Sequence, residues 1–392
     1  MKEPYSKGKT YLDFAATTPL DPEVLEEMKP YLQEKYGNAS SLYSMGQEAK
    51  AALDNARERV AGFLGCSASE VVFTGSATEA NNLAIKGLVN NFDKPHVITS
   101  AFEHHAVLHP VEQLEEAGLV EATYLPVNKE GLIESSQVEE AIEDNTVLVS
   151  IMYANNEIGT IQPITEIGEM LQQKNENRSQ RIFFHTDAVQ AANYLNCEVK
   201  HLNVDLLSLS AHKFYGPKGV GALYVNKDVE LNPLINGGGH EGGLRSGTEN
   251  IPGIVGMGAA IEKIESREGN ERLKKLREKL IEGISNNISD VQLNGSRDKR
   301  LPNNVNMSIK GIEGESIVLS LDQEGIEAST GSACSTQDLK PSHVLTSLGL
   351  SPQEAHGSLR LTLGKYSDEQ DVEKVLEVLP SIVERLREIS PF

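Results

Sequence analysis

Residues 207–225 read LSLSAHKFYGPKGVGALYV and place Lys213 at the mouth of a turn between two apolar runs. A lysine there is either a solvated loop side chain, the commoner fate of the residue, or an amine held beside a bound carbonyl compound, ready to form a Schiff base. Other residues with chemical capacity recur in the same setting. HTDAVQ (185–190) puts Asp187 after the apolar run RIFF, and a carboxylate buried there needs a cationic partner. TGSATEANN (74–82) offers small residues and backbone N–H groups at a helix start, either a phosphate-type anion site or an ordinary helix cap by Ser76 or Thr78. FEHHAVLHP (102–110) sets His104 and His105 after another apolar run, where a ring can stack or move a proton. His104, His105 and His109 lack the carboxylate or cysteine spacing of a metal site, so no metal is expected. YANNEIG (153–159) adds Asn156. An amine, an acid for a ring nitrogen, N–H donors for a phosphate and a stacking ring are the parts required to hold pyridoxal 5′-phosphate (PLP). No GxGxxG follows a strand and GPKGVG lacks the Walker A order, so dinucleotide and P-loop sites are unsupported.

The elements that must position these residues follow from the apolar pattern. VVFT (71–74), HVITS (96–100), TVLVSIMYA (146–154), RIFFHTD (181–187) and VDLLSLSA (204–211) are nearly continuous apolar runs. They alternate with helices beginning near 78, 106 and 163, the pattern of a wound, mostly parallel sheet covered on both faces. In such sheets ligands bind beyond the carboxyl ends of the strands, where the polar residues above fall. After about residue 250 the pattern changes to one long helical stretch (252–286), the runs NVNMSI (304–309), IEAST (326–330) and SLRLTL (358–363), helices near 314–324 and 368–388, and so a smaller α+β domain. The fold class is α/β, with a large domain over 15–258 and a small one built from 1–14 and 259–392.

The chain has 392 residues, 57 acidic against 36 basic, a formal net charge of −21. That charge repels phosphate backbones, so no direct nucleic-acid partner is expected. No segment reaches the ~20 apolar residues that span a bilayer, and the start, MKEPYSKGKTYLDF, has no apolar run, so no membrane and a cytoplasmic setting are expected. The three cysteines, Cys66, Cys197 and Cys334, form no CxxC pair. Cys66 and Cys197 lie at element ends and read as packing residues, whereas Cys334 stands in the Gly/Ser-rich STGSACSTQDLKPS, which reads as a loop about 329–340.

The chain resembles the group I cysteine desulfurases, in the class V aminotransferase family of fold-type I PLP enzymes. The resemblance runs from YLDFAATTP (11–19) through SATEANNLAIKG (76–87), NNEIGTIQPI (155–164), HTDAVQ, SAHKFYGPKGVGALY (210–224), RSGTEN (245–250) and STGSACST (329–336) to SLRLTLG (358–364). It implies that Lys213 forms the Schiff base with PLP, that Asp187 partners the pyridine nitrogen, that Gln190 donates to the ring hydroxyl and that His104 stacks on the ring. It implies Ala77, Thr78, Ser210 and His212 as phosphate ligands, with Thr248 supplied by the second subunit of a homodimer. Asn156, Arg360 and the mouth residue Asn38 are implied for the substrate, L-cysteine; the planar fork of arginine suits its carboxylate. Cys334 is implied as the thiolate that takes the substrate sulfur as a persulfide, leaving alanine. The sulfur then passes to an acceptor protein, an iron–sulfur scaffold or a tRNA-thiolating enzyme.

The family's GNPSS segment followed by a histidine here reads GNASSLY, with Ala39 in place of proline and Tyr43 near the usual histidine. This leaves the substrate mouth less constrained. The sequence stops at REISPF, short of the tail by which scaffold-serving members dock, so the choice of acceptor stays open.

Overall fold

The computed structural model describes residues 8–264, 267–331 and 341–390. Its centre is a seven-stranded sheet in the order Val71–Thr74, Gly221–Val225, Leu206–Ser210, Phe183–Asp187, Thr146–Ser150, His96–Ser100, Glu121–Leu125. Gly221–Val225 runs antiparallel to both of its neighbours, and the pairs from Leu206–Ser210 to Glu121–Leu125 are all parallel. Six of these strands are buried at every position, as their nearly continuous apolar runs require when helices cover both faces. The edge strand Glu121–Leu125 is mostly half-buried, and its weak EATYL pattern explains why sequence periodicity passes over it.

Two apolar clusters flank this sheet. A third is built from Leu12, from Leu273–Ile288, from Val305–Leu321 and from Leu359–Val383, around a sheet ordered Ser358–Thr362, Asn304–Ile309, Val291–Leu293. The stretch expected as one long helix is two, Ile251–Ile261 and Arg267–Asn287. The physical reason is that they serve different cores. IPGIVGMGAAI is apolar all round and is buried against helices Pro22–Gln33 and Ser44–Leu64. The second helix is amphipathic and packs on the C-terminal helix Glu369–Ile389. Strand 326–330 is likewise shorter than expected, Ile326–Glu327, where it pairs in parallel with Thr10–Tyr11. The short helices His343–Ser347 and Pro352–His356 carry no periodic signal and emerge only in the fold. Among the described residues, no helix is long and apolar enough to cross a membrane.

Candidate active site

Successive strand ends converge on one cavity of about 280 Å³. Its lining includes Ala77, Thr78, His104, Asn156, Asp187, Gln190, Ser210, His212, Lys213 and Arg360. Ten residues named from the sequence therefore meet in one place, although they span positions 77 to 360.

Lys213 ends the short 3-10 turn Ala211–Lys213 that follows strand Leu206–Ser210. Its Nζ donates to the carbonyl oxygens of Ala15 (2.6 Å) and Ala16 (2.7 Å), and Gln190 Nε2 donates to the same Ala15 oxygen (2.9 Å). The segment 13–18 is fastened over the lysine from the same turn. Thr18 N and Oγ1 donate to the His212 carbonyl, Tyr215 N donates to Thr18 Oγ1, and Thr17 Oγ1 lies 3.0 Å from His212 Nδ1. Gly216 makes this turn possible, because a Cβ there would lie 2.8 Å from both the Cβ and the carbonyl oxygen of Ala211. The lysine is thus a held side chain, not a solvated one.

Asp187 closes strand Phe183–Asp187 and is buried. Asn81 Nδ2 donates to its Oδ2 (2.7 Å) and Val189 N to its Oδ1 (3.0 Å). Asn81, fully buried on helix Ala77–Val89, was not singled out from the sequence; the polar pair Asn81–Asn82 ahead of the run LAI was its only signal. Ser76 caps that helix by accepting from Glu79 N (3.2 Å), as the sequence allowed, and Glu79 accepts in turn from Gly75 N (2.8 Å) and Arg245 Nε (3.0 Å). The first N–H groups of a helix have no intrahelical acceptor, so those of Ala77 and Thr78 can serve a ligand. Strand Gly221–Val225 packs directly behind this helix start. A Cβ on Gly221 would stand 2.6 Å from the carbonyl carbon of Ser76 and 2.9 Å from Ala77 N.

His104 caps helix His105–Glu116: its Nδ1 accepts from Ala106 N at 3.0 Å. Burial, the Lys213 ammonium and neighbouring histidines hold its pKa below the ordinary value, against the opposing pull of Asp187. The neutral ring therefore has its lone pair on Nδ1 and its proton on Nε2. His105 stacks instead on His109 and His343, both at 4.5 Å between centroids. Among the described residues no group of three or more His, Cys, Asp or Glu is arranged to hold a metal.

Arg360, on strand Ser358–Thr362, is buried. It donates from Nη1 to the Asn156 carbonyl (3.0 Å) and the Gly331 carbonyl (3.4 Å), and from Nη2 to Asp13 Oδ1 (2.7 Å), while its buried Nε has no partner. Nothing in the local pattern of YLDFAATTP marks Asp13 as a partner of Arg360. Asn38 and Thr248 are exposed and do not line the cavity of the single chain. Cys334 lies outside the described residues. Burial pushes the thiols of Cys66 and Cys197 up to about 12.

Below Asp187, the fully buried His185 sits between Ser150 Oγ (2.8 Å) and Ser208 Oγ (3.1 Å), and burial pulls its pKa down to about 4. In the unfolded chain the ring takes a proton below about pH 6.5. Stability is thus undiminished above that pH and falls as the pH drops towards 4, by up to about 3 kcal/mol from this residue. Denaturant midpoints at pH 7 and pH 4.5 should separate less in His185→Gln than in wild type; equal separations would show that His185 does not carry the effect.

The aminotransferase class-V family matches residues 10–375. A cysteine desulfurase IscS of Clostridium botulinum is 53% identical over 98% of this chain and 96% of the relative, and that of Methanosarcina thermophila is 52% identical over 97% and 93%. Among solved structures, a NifS-like protein superposes with a TM-score of 0.90 at 39% identity, covering 96% of this chain and 100% of the other. A structure described as SspA in complex with cysteine reaches 0.81 at 41% identity, covering 92% and 100%. The chain belongs to the aminotransferase class-V family, as the wound sheet and the convergence of Lys213, Asp187 and the Ser76–Thr78 helix start lead one to expect. Within it, the chain is a cysteine desulfurase, an enzyme that works with PLP.

Proposed function

We propose that the chain converts L-cysteine to L-alanine, holds the sulfur as a persulfide on Cys334 and passes it to an acceptor protein. The observation that carries the site reading is Asp187. It is buried at the cavity wall, and both its oxygens accept from uncharged donors, Asn81 Nδ2 and Val189 N. That arrangement suits a protonated pyridine nitrogen, which would supply a cationic partner. The residues present fit PLP in other respects too. Lys213 would bind its aldehyde carbon, and Gln190 would face the ring hydroxyl. His104 would cover the ring, and Ala77, Thr78, Ser210 and His212 would take the phosphate, with Thr248 of a second copy.

Bound PLP supplies an electron sink for the substrate α-carbon. The chain's own groups do the rest. Asp187 keeps a positive charge in place at the far end of the cavity. Asn156 and Arg360 orient the substrate carboxylate. Lys213 takes the α-proton and returns it, with its Nζ kept in the cavity by the carbonyl groups of Ala15 and Ala16. His104, with its proton on Nε2, is a donor in this state. Cys334 attacks the substrate sulfur as the thiolate; the S–C bond breaks and the cysteinyl persulfide forms.

We read the working unit as a homodimer, with Asn38 at the substrate mouth. Thr248 and the exposed Tyr36, Leu42 and Tyr43 are the surfaces that a second copy would cover. We read residues 15–258 as the large domain and 1–14 with 259–392 as the small one; the small domain has its own core, while Leu301, Val344, Leu345, Leu348 and Ala355 pack into the large one. The acceptor is an iron–sulfur scaffold or a tRNA-thiolating enzyme. The test is the product balance of the purified, yellow holoenzyme with L-cysteine and a thiol reductant, with alanine and sulfide expected in equal amounts. No product from L-cysteine but alanine from L-selenocysteine would replace the reading with a selenium-specific lyase.

A further inference from the structure

Arg360 lines the cavity and Asp13 does not. The guanidinium at the cavity wall is thus bonded, through Nη2 at 2.7 Å, to a carboxylate that is not part of the lining. The fold builds this pair deliberately tight. Leu12 N donates to Glu327 O at 2.8 Å, Thr362 N donates to Leu12 O at 2.7 Å, and Asp13 bridges to Thr362 in the strand that carries Arg360. These bonds fix the Asp13 backbone beside the strand that carries Arg360. The other acid that acts on Arg360 is Glu157, fully buried, where desolvation favours the neutral carboxyl and Ser342 Oγ donates to Oε2 at 2.6 Å. Asp13 is thus the negative charge bonded to the arginine. The buried Nε of Arg360 remains without a partner.

An unpaired buried arginine would attract any small carboxylate, and a cell holds many. An arginine already neutralised offers a carboxylate its hydrogen-bond geometry but little net charge. A zwitterionic α-amino acid brings no net charge to such a site. A carboxylate without the α-ammonium brings a full negative charge and meets Asp13 across the guanidinium.

We propose that Asp13 is a specificity-determining residue, which makes the Arg360 side of the cavity accept α-amino acid zwitterions and reject carboxylates that lack the α-ammonium group. This rests on the reading of Arg360 as the site for the substrate carboxylate. The probe is 3-mercaptopropionate, the cysteine skeleton without its amino group, titrated calorimetrically into the holoenzyme. In Asp13→Asn it should bind at least tenfold more tightly than in wild type, with the KM for L-cysteine changed less than threefold, and Asp13→Glu should restore weak binding. Binding and KM that move together, or a dissociation constant that does not move, would overturn the proposal. In wild type alone, the acid should bind no more tightly than its neutral amide, so the idea stays exposed even if Asp13→Asn does not fold; a tenfold preference for the acid would refute it. Arg360→Gln separates the two layers. If it leaves 3-mercaptopropionate binding unchanged in the Asp13→Asn background, the assignment of Arg360 is what fails.

Discussion

Lys213→Ala is expected to lower alanine formation from L-cysteine by at least about 10³-fold and to remove the visible absorption of the purified protein. Lys213 is the only lysine among the described lining residues of the cavity, so no second amine stands ready to replace it. Its Nζ bonds to two main-chain oxygens of segment 13–18, which place the amine on the cavity side of the turn and not in solvent. Lys213→Arg would keep the charge and could still reach these oxygens, but a guanidinium does not deprotonate and is no nucleophile. It should be as inactive as the alanine variant while unfolding at a similar temperature. Added methylamine should return part of the activity to Lys213→Ala, because that side chain leaves space that a small amine can enter. Turnover within tenfold of wild type in either variant would remove Lys213 from the chemistry.

Cys334→Ser should abolish sulfide release, with a loss of at least about 10²-fold, and should leave cofactor absorption intact. A serine hydroxyl is a far weaker nucleophile than a thiolate and cannot carry sulfur as a persulfide. The other two cysteines offer no substitute. Both thiols are pushed up to about 12, Cys197 is buried in the large core, and neither lines the cavity. Mass spectrometry after a single turnover should find the extra sulfur on the Cys334 peptide in wild type and nowhere in the variant. Retained desulfuration by Cys334→Ser would mean that the sulfur leaves directly to an external thiol.

The fold class and the candidate site residues are legible in the sequence alone. Both are written in local pattern: unbroken apolar runs make strands covered on two faces, and a polar residue just beyond each run stands at a strand's carboxyl end whatever the strand order. Lys213, Asp187, His104 and the Ser76–Thr78 helix start were legible for that reason. Tertiary structure decided what depends on contacts between distant segments. Asn81 is an unremarkable helix residue until the sheet order brings it to 2.7 Å from Asp187, 106 positions away. Asp13 and Arg360 are 347 positions apart and meet because Leu12 and Thr362 pair their backbones. The division of the expected 252–286 helix has the same origin. Periodicity reports a helix's apolar face, but only packing shows that Ile251–Ile261 and Arg267–Asn287 press their faces into different cores. A residue's type and spacing declare which proton, charge or sulfur it can handle, and the partner that sets its charge and orientation comes from the folded chain.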